Sequence, residues 1–234
     1  MKRDHLALAF ALIFPGIMAW VYFVALAGEG RHENPGLLIA FGVGKFVQFT
    51  FPLVYVWWFE PERLRPALPT RAGLRMALVF GLAIAAGIFG LYFGWLKDSG
   101  LISEAPAKVY AKVREFGMAT PARFVVLAAF ISLVHSAMEE YYWRWFVFGW
   151  LRKSLALGPA LVLSNLAFMA HHVIVLGVYF PERFWMLALP FSIAVAVGGG
   201  VWCWIYERSR SLLGPWLSHA LVDAGILLTA ISVK

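Results

Sequence analysis

Runs of about twenty consecutive apolar residues recur along this 234-residue chain, separated by short polar connections. A run of that length lets an α-helix cross the hydrocarbon core of a bilayer, which is about 30 Å thick. Hydrocarbon gives backbone amides no partner, so whatever spans it must be a helix or part of a closed barrel. Barrel strands need only about ten residues of alternating character, and these runs are longer and do not alternate. Composition points the same way. The chain is 62% hydrophobic and 14% charged, where a soluble domain carries about 25% charged residues. The expected fold class is an all-α polytopic integral membrane protein of about seven or eight transmembrane helices with an intramembrane polar site.

The spans are placed at about Leu6–Ala27, Gly36–Phe59, Met76–Leu96, Ala122–Trp150, Gly158–Phe180, Phe184–Tyr206 and Leu212–Val233. The first follows Lys2-Arg3 and resembles a signal peptide. Its apolar stretch exceeds the 7–15 residues of a signal core, so it reads as an uncleaved span. The polar stretch Gly28–Pro35 closes it. Lys45 lies within the second span, where it faces either the helix bundle or the headgroups. The connection Glu60–Arg75 reads as a surface loop, and the mixed stretch Lys97–Pro121, with Lys108, Lys112, Arg114 and Glu115 among Val109, Tyr110, Val113 and Phe116, as an amphipathic surface helix. Span four is about 29 residues long and is expected to tilt or protrude. Gly198-Gly199-Gly200 in span six permits either close helix approach or a break. The expected organisation is one membrane domain, with three spans and the amphipathic connection in 1–121 and a core of about four spans in 122–234.

The formal charge is +7, but the basic residues sit in the connections, including Arg63, Arg65, Arg71, Arg75, Arg152 and Lys153. This is the pattern of cytoplasmic loops and not of nucleic-acid binding, and it favours a cytoplasmic N-terminus. The expected partner is the lipid bilayer, with no nucleic acid. The single cysteine, Cys203, forms no internal disulfide and reads as packing. Most of the eleven tryptophans flank spans and read as an interfacial belt.

Ionisable residues at membrane depth are costly and point to function by default. Span four carries Glu139-Glu140 and Arg144 in an otherwise apolar run. Glu140 and Arg144 are four apart and are expected to pair. Glu139 points about 100° away and is available to another helix. In span five, Asn165, Phe168 and His172 share a face while His171 points elsewhere, and in span seven His219 and Asp223 are again four apart. A carboxylate beside an imidazole takes a proton from water while nearby donors stabilise an oxyanion. A buried set of Glu, two His and Asp therefore suits hydrolysis. His135, four before Glu139, shares its face as a further ligand or a shaping residue. There is no HExxH, no GxSxG and no phosphate-binding glycine loop.

Glu139-Glu140-x-x-x-Arg144, Phe168-x-x-x-His172 and His219-x-x-x-Asp223, in that order on successive spans, resemble the EExxxR, FxxxH and Hxxx(N/D) motifs of the CPBP intramembrane proteases. This group includes the Rce1-type CAAX prenyl endopeptidases and the bacterial relatives called Abi proteins. The resemblance runs from about Phe124 to the C-terminus. It implies a glutamate-dependent intramembrane protease, of a kind often called a metalloprotease, acting on peptides that in some members are prenylated, and sited in the inner membrane if the cell is prokaryotic. By the same resemblance Glu139 activates water, His172 assists, and His219 with Asp223 stabilises the oxyanion. Glu140, Arg144 and Phe168 shape the site. Asp223 stands where prenyl-processing members carry Asn. Glu139, His172 and His219 form a donor set compatible with zinc or another divalent metal. Two other readings stay open, a non-proteolytic membrane scaffold or regulator and a proton- or cation-coupled transporter.

Overall fold

The computed structural model describes residues 2–26, 35–64, 70–103, 105–115, 117–118 and 120–231. The polar stretch 28–34, Arg65, Phe116 and Lys234 fall outside them. Among the described residues all regular structure is helical, and seven helices are long and apolar enough to cross a membrane. The protein is an all-α, multi-pass integral membrane protein.

The helices are α1 (Lys2–Trp20, continued by a π turn Val21–Ala25), α2 (Pro35–Phe59), α3 (Arg71–Leu91, continued by a π turn to Leu96) and α4 (Ala105–Glu115). They are followed by α5 (Pro121–Leu151), α6 (Leu157–Tyr179), α7 (Phe184–Ser209) and α8 (Leu213–Ile231). The expected spans recur with shifted ends. The third begins at Arg71 and not Met76, because Thr70 caps it by accepting from Gly73 N at 3.1 Å. A capping side chain satisfies one of the amides left over at a helix start, so Arg71 and Arg75 belong to the first turns of the helix and not to the loop. Thr120 caps α5 in the same way, with Pro121 as its first residue. The triple glycine does not break α7, which is α-helical from Leu189 to Ser209. The amphipathic stretch forms α4.

The length of α5 is taken up partly within the helix. It is π-helical over Phe130–His135 and Tyr141–Phe148, on either side of one α-helical segment, Ser136–Glu140. A π turn holds more residues than an α turn, so it shortens the helix for its length. Such turns concentrate at functional sites, and here they bracket the two glutamates.

Packing divides the chain into two units, Met1–Ala67 with Tyr141–Trp204, and Leu68–Glu140 with Ile205–Lys234. The first is held by α1 against α6 and by a bond that repairs a proline site. Pro15 lies inside α1 and has no N–H for the carbonyl four residues earlier. That carbonyl belongs to Ala11, and it accepts the hydroxyl of Tyr142 at 2.8 Å, with Tyr142 fully buried. Pro52 lies inside α2, and Tyr141 donates to the Phe49 carbonyl on the same turn at 3.2 Å. In lipid every backbone group must be satisfied from within the protein. Tyr142 meets this need at Ala11. Lys45 resolves toward the protein, donating to the buried Gln48 at 3.3 Å. Near the ends of the spans, Tyr55 donates to Asp4 at 2.6 Å, Arg3 lies 3.7 Å over the Phe59 ring, and Lys153 pairs with Glu60.

The second unit is built on α3 against α8. Gly73, Ala77, Gly81 and Ala85 recur every four residues and so line one face of α3. A Cβ on Gly81 would come within 3.0 Å of the Ser218 backbone, and one on Gly225 within 3.2 Å of Ala85. Small residues let backbones approach this closely in membranes, where apolar burial does little to drive association. Trp216 ties α8 to α5 by donating to the Leu133 carbonyl at 2.8 Å. Ser218 and Trp216 flank the position at which α8 presents His219.

Candidate active site

In the second unit α8 presents His219 to the α-helical segment of α5. Its Nδ1 lies 2.8 Å from Oε1 of Glu140, with His219 and Glu140 both buried. A carboxylate accepts, so Nδ1 carries the proton and the ring orientation is fixed. The other nitrogen, Nε2, lies 3.8 Å from Oε2 of Glu139 and 3.6 Å from Oδ1 of Asp223. Both separations exceed a direct hydrogen bond. The second oxygen of Glu139 is approached by Nε2 of His135 at 3.9 Å. Glu139 therefore lies between two imidazoles, one on each oxygen.

Glu139, the carboxylate expected to be available to another helix, does approach His219, but Glu140 is the nearer of the two. Sequence spacing could not show this. It fixes positions around one helix, whereas the contact depends on where α8 enters, and that depends on the small-residue face of α3.

In the first unit Arg144 is wholly buried. Its guanidinium carbon lies 4.6 Å from the centroid of Phe168 and 5.0 Å from that of Trp202. Cation–π contacts of this kind strengthen when they are desolvated. Trp202 and Trp143 are thus exceptions to the interfacial tryptophan reading, both being buried. Phe168 also touches His172, with ring centroids 4.7 Å apart. His172 Nδ1 lies 2.9 Å from the Phe168 carbonyl, four residues back. A carbonyl only accepts, so Nδ1 donates and the neutral ring carries its lone pair on Nε2. His171, with no role expected, stacks on Trp143 at 5.8 Å with planes 6° apart. Cys203 is buried, as expected of a packing residue, and Asn165 Nδ2 lies 3.7 Å from its sulfur.

The structure thus brings His135, Glu139, Glu140, His219 and Asp223 together in one unit, and Arg144, Phe168 and His172 in the other, where Asn165 and Trp202 join them. The fourfold spacing on α3 was legible in the sequence as a helix-packing signal. The place of Trp202 over Arg144 had no sequence signal. Among the described residues, no three or more His, Cys, Asp and Glu are arranged to hold a metal ion.

Residues 121–225 match the family model described as type II CAAX prenyl endopeptidase Rce1-like. The segment 121–225 is thus similar to the Rce1-like family. It opens at the capped start of α5 and includes all three motifs. That description names a prenyl endopeptidase. No curated protein and no solved structure matches the chain.

Proposed function

We propose that this protein is an intramembrane endopeptidase that cleaves a membrane-associated peptide by glutamate-activated water. The observation that carries the reading is the environment of His219, with Glu140 on Nδ1 at 2.8 Å and Glu139 and Asp223 near Nε2 at 3.8 and 3.6 Å. In the proposed reaction Glu139 takes a proton from water as the oxygen adds to the scissile carbonyl carbon. The protonated His219 ring donates from Nε2 to the oxyanion, while Glu140 orients the ring and offsets its charge, as the acid does in a catalytic triad. Collapse of the tetrahedral intermediate breaks the C–N bond, and the proton held by Glu139 passes to the leaving amine. Asp223 stands where a protonated carboxyl supplies a second donor, as a carboxylic acid in an apolar site can. His172 enters the proposal through its place in the FxxxH motif, and Arg144 through EExxxR. No step passes through a metal.

For substrate we propose a peptide with a CAAX-like C-terminus, prenylated in the strongest case, because that is the chemistry of the family that matches. Mass spectrometry of new C-terminal ends in membranes carrying wild-type or Glu139→Gln protein tests both parts. The expected result is a set of ends present only with the wild type. Identical sets would remove the proteolytic reading and leave a scaffold or transporter role. Adding matched CAAX peptides with and without the prenyl group then tests the substrate, and equal turnover of the two would remove the prenyl preference.

A further inference from the structure

The carbonyls of the π turn before the glutamates are met by three different donors. The Ser136 N–H bonds the Ile131 carbonyl, five residues back, which is the spacing of a π turn. The Ser136 hydroxyl donates to the Ser132 carbonyl. The Leu133 carbonyl accepts the indole N–H of Trp216 at 2.8 Å. Of these three donors only the indole comes from another helix. Trp216 is the fourth residue of α8, where a tryptophan of the interfacial belt turns its N–H toward headgroups. Here the N–H is turned to α5 instead. Trp216 and His219 are three residues apart and share a face of α8. The same two helices are therefore joined twice, by Trp216 on Leu133 and by Nδ1 of His219 on Oε1 of Glu140 at 2.8 Å. All four residues belong to the second unit. One bond between two helices is a pivot, and a second, made by a rigid ring on two rotatable bonds, fixes slide and rotation. Asp223 lies on α8 with His219, so a slide leaves that pair alone. It changes the reach from Nε2 to Glu139, 3.8 Å in this structure.

We propose that Trp216 is a positioning residue, whose indole N–H on the Leu133 carbonyl sets the register of α8 along α5 and holds His219 against Glu139 and Glu140. The inference rests on the proposed reading of Glu139 as the group that activates water. Loss of cleavage in Glu139→Gln tests that reading, and the ring signals of His219 test Trp216 whether or not that reading holds.

The experiments use the full chain in proteoliposomes with a fluorogenic peptide whose cleavage requires Glu139. Trp216→Phe keeps an aromatic ring and removes the donor. It is expected to lower kcat about tenfold, with KM within about twofold, since a misplacement of about 1 Å at a reacting group costs up to about 100-fold. In ¹⁵N-histidine-labelled protein, the His219 signals are identified by their absence from His219→Asn. Trp216→Phe is expected to move the Nδ1 signal toward its position in Glu140→Gln. Wild-type kcat in Trp216→Phe, or an Nδ1 signal left at the wild-type position, would overturn the proposal. Where Trp216→Phe does not accumulate as folded protein, β-(3-benzothienyl)alanine at position 216 keeps the bulk of the indole and puts sulfur in place of the N–H. The same loss and the same shift are expected of it, and a wild-type rate or an unmoved Nδ1 signal would overturn the proposal.

Discussion

The two buried polar clusters neutralise charge in different ways. In the unit with α8, two glutamates and an aspartate face imidazoles, with His219 meeting all three acids and His135 meeting Glu139. In the unit with α6, the Arg144 cation is met by the rings of Phe168 and Trp202. The first cluster is made of groups that exchange protons. In the second, the guanidinium does not lose its proton in proteins and its ring partners do not titrate. A membrane protein can hold a buried charge by either means, but only the first supports acid–base chemistry. On the proposed reading, reaction belongs to the acid–imidazole set and architecture to the arginine set, with His172 the titratable neighbour of the latter.

The largest expected effect falls on the first cluster. His219→Asn removes the ring that Glu140 orients, and is expected to cut kcat on a reporter peptide by about 100- to 1,000-fold with little change in thermal midpoint. A loss accompanied by unfolding would blur the contrast, because His219 would then be holding the fold. Arg144→Lys should behave in the opposite way. Lysine keeps the charge but loses the planar group that fits between two rings. Leaving a buried charge poorly met is expected to cost about 3 kcal/mol of stability, seen as a lower midpoint in detergent. An active Arg144→Lys protein of wild-type stability would contradict an architectural role.

A smaller effect is expected at the seam between α3 and α8. Gly81→Val drives a branched side chain into the Ser218 backbone and should cost about 2 kcal/mol through overpacking. Because Ser218 precedes His219, the kcat of the protein that stays folded should also fall. Undiminished kcat would detach His219 from that seam. The smallest effect concerns the proline repair. Tyr142→Phe leaves the Ala11 carbonyl without its donor and should cost about 1 kcal/mol. In a Pro15→Ala background the helix supplies its own N–H, so the same change should then cost close to nothing. An equal cost in both backgrounds would refute the repair.

Much of the fold was legible in the sequence because hydrocarbon imposes a simple rule on length and polarity. All seven spans followed from it, and the ends that moved, as at Arg71, were set by a capping threonine. The motif residues were legible because charges stand out in apolar runs. What spacing on a single helix does not carry is the choice of partner across helices. The spacing of Glu140 and Arg144 on one helix gave no sign of the contact that the structure shows between Glu140 and His219. The pairing depends on how deeply α8 beds against Gly73, Ala77, Gly81 and Ala85, a stripe of small residues far away in sequence. Trp202 went unassigned for the same reason, since it carries no charge and acquires meaning only from its neighbour in space.

The account turns on Glu139 as the group that activates water. The most direct test is purified protein in proteoliposomes cleaving a reporter peptide in ¹⁸O-labelled water under single-turnover conditions, with Glu139→Gln alongside. The account predicts one labelled oxygen in the new carboxylate from the wild type, and no product from a Glu139→Gln protein that melts at the wild-type temperature. Product formed by Glu139→Gln at the wild-type rate would contradict it.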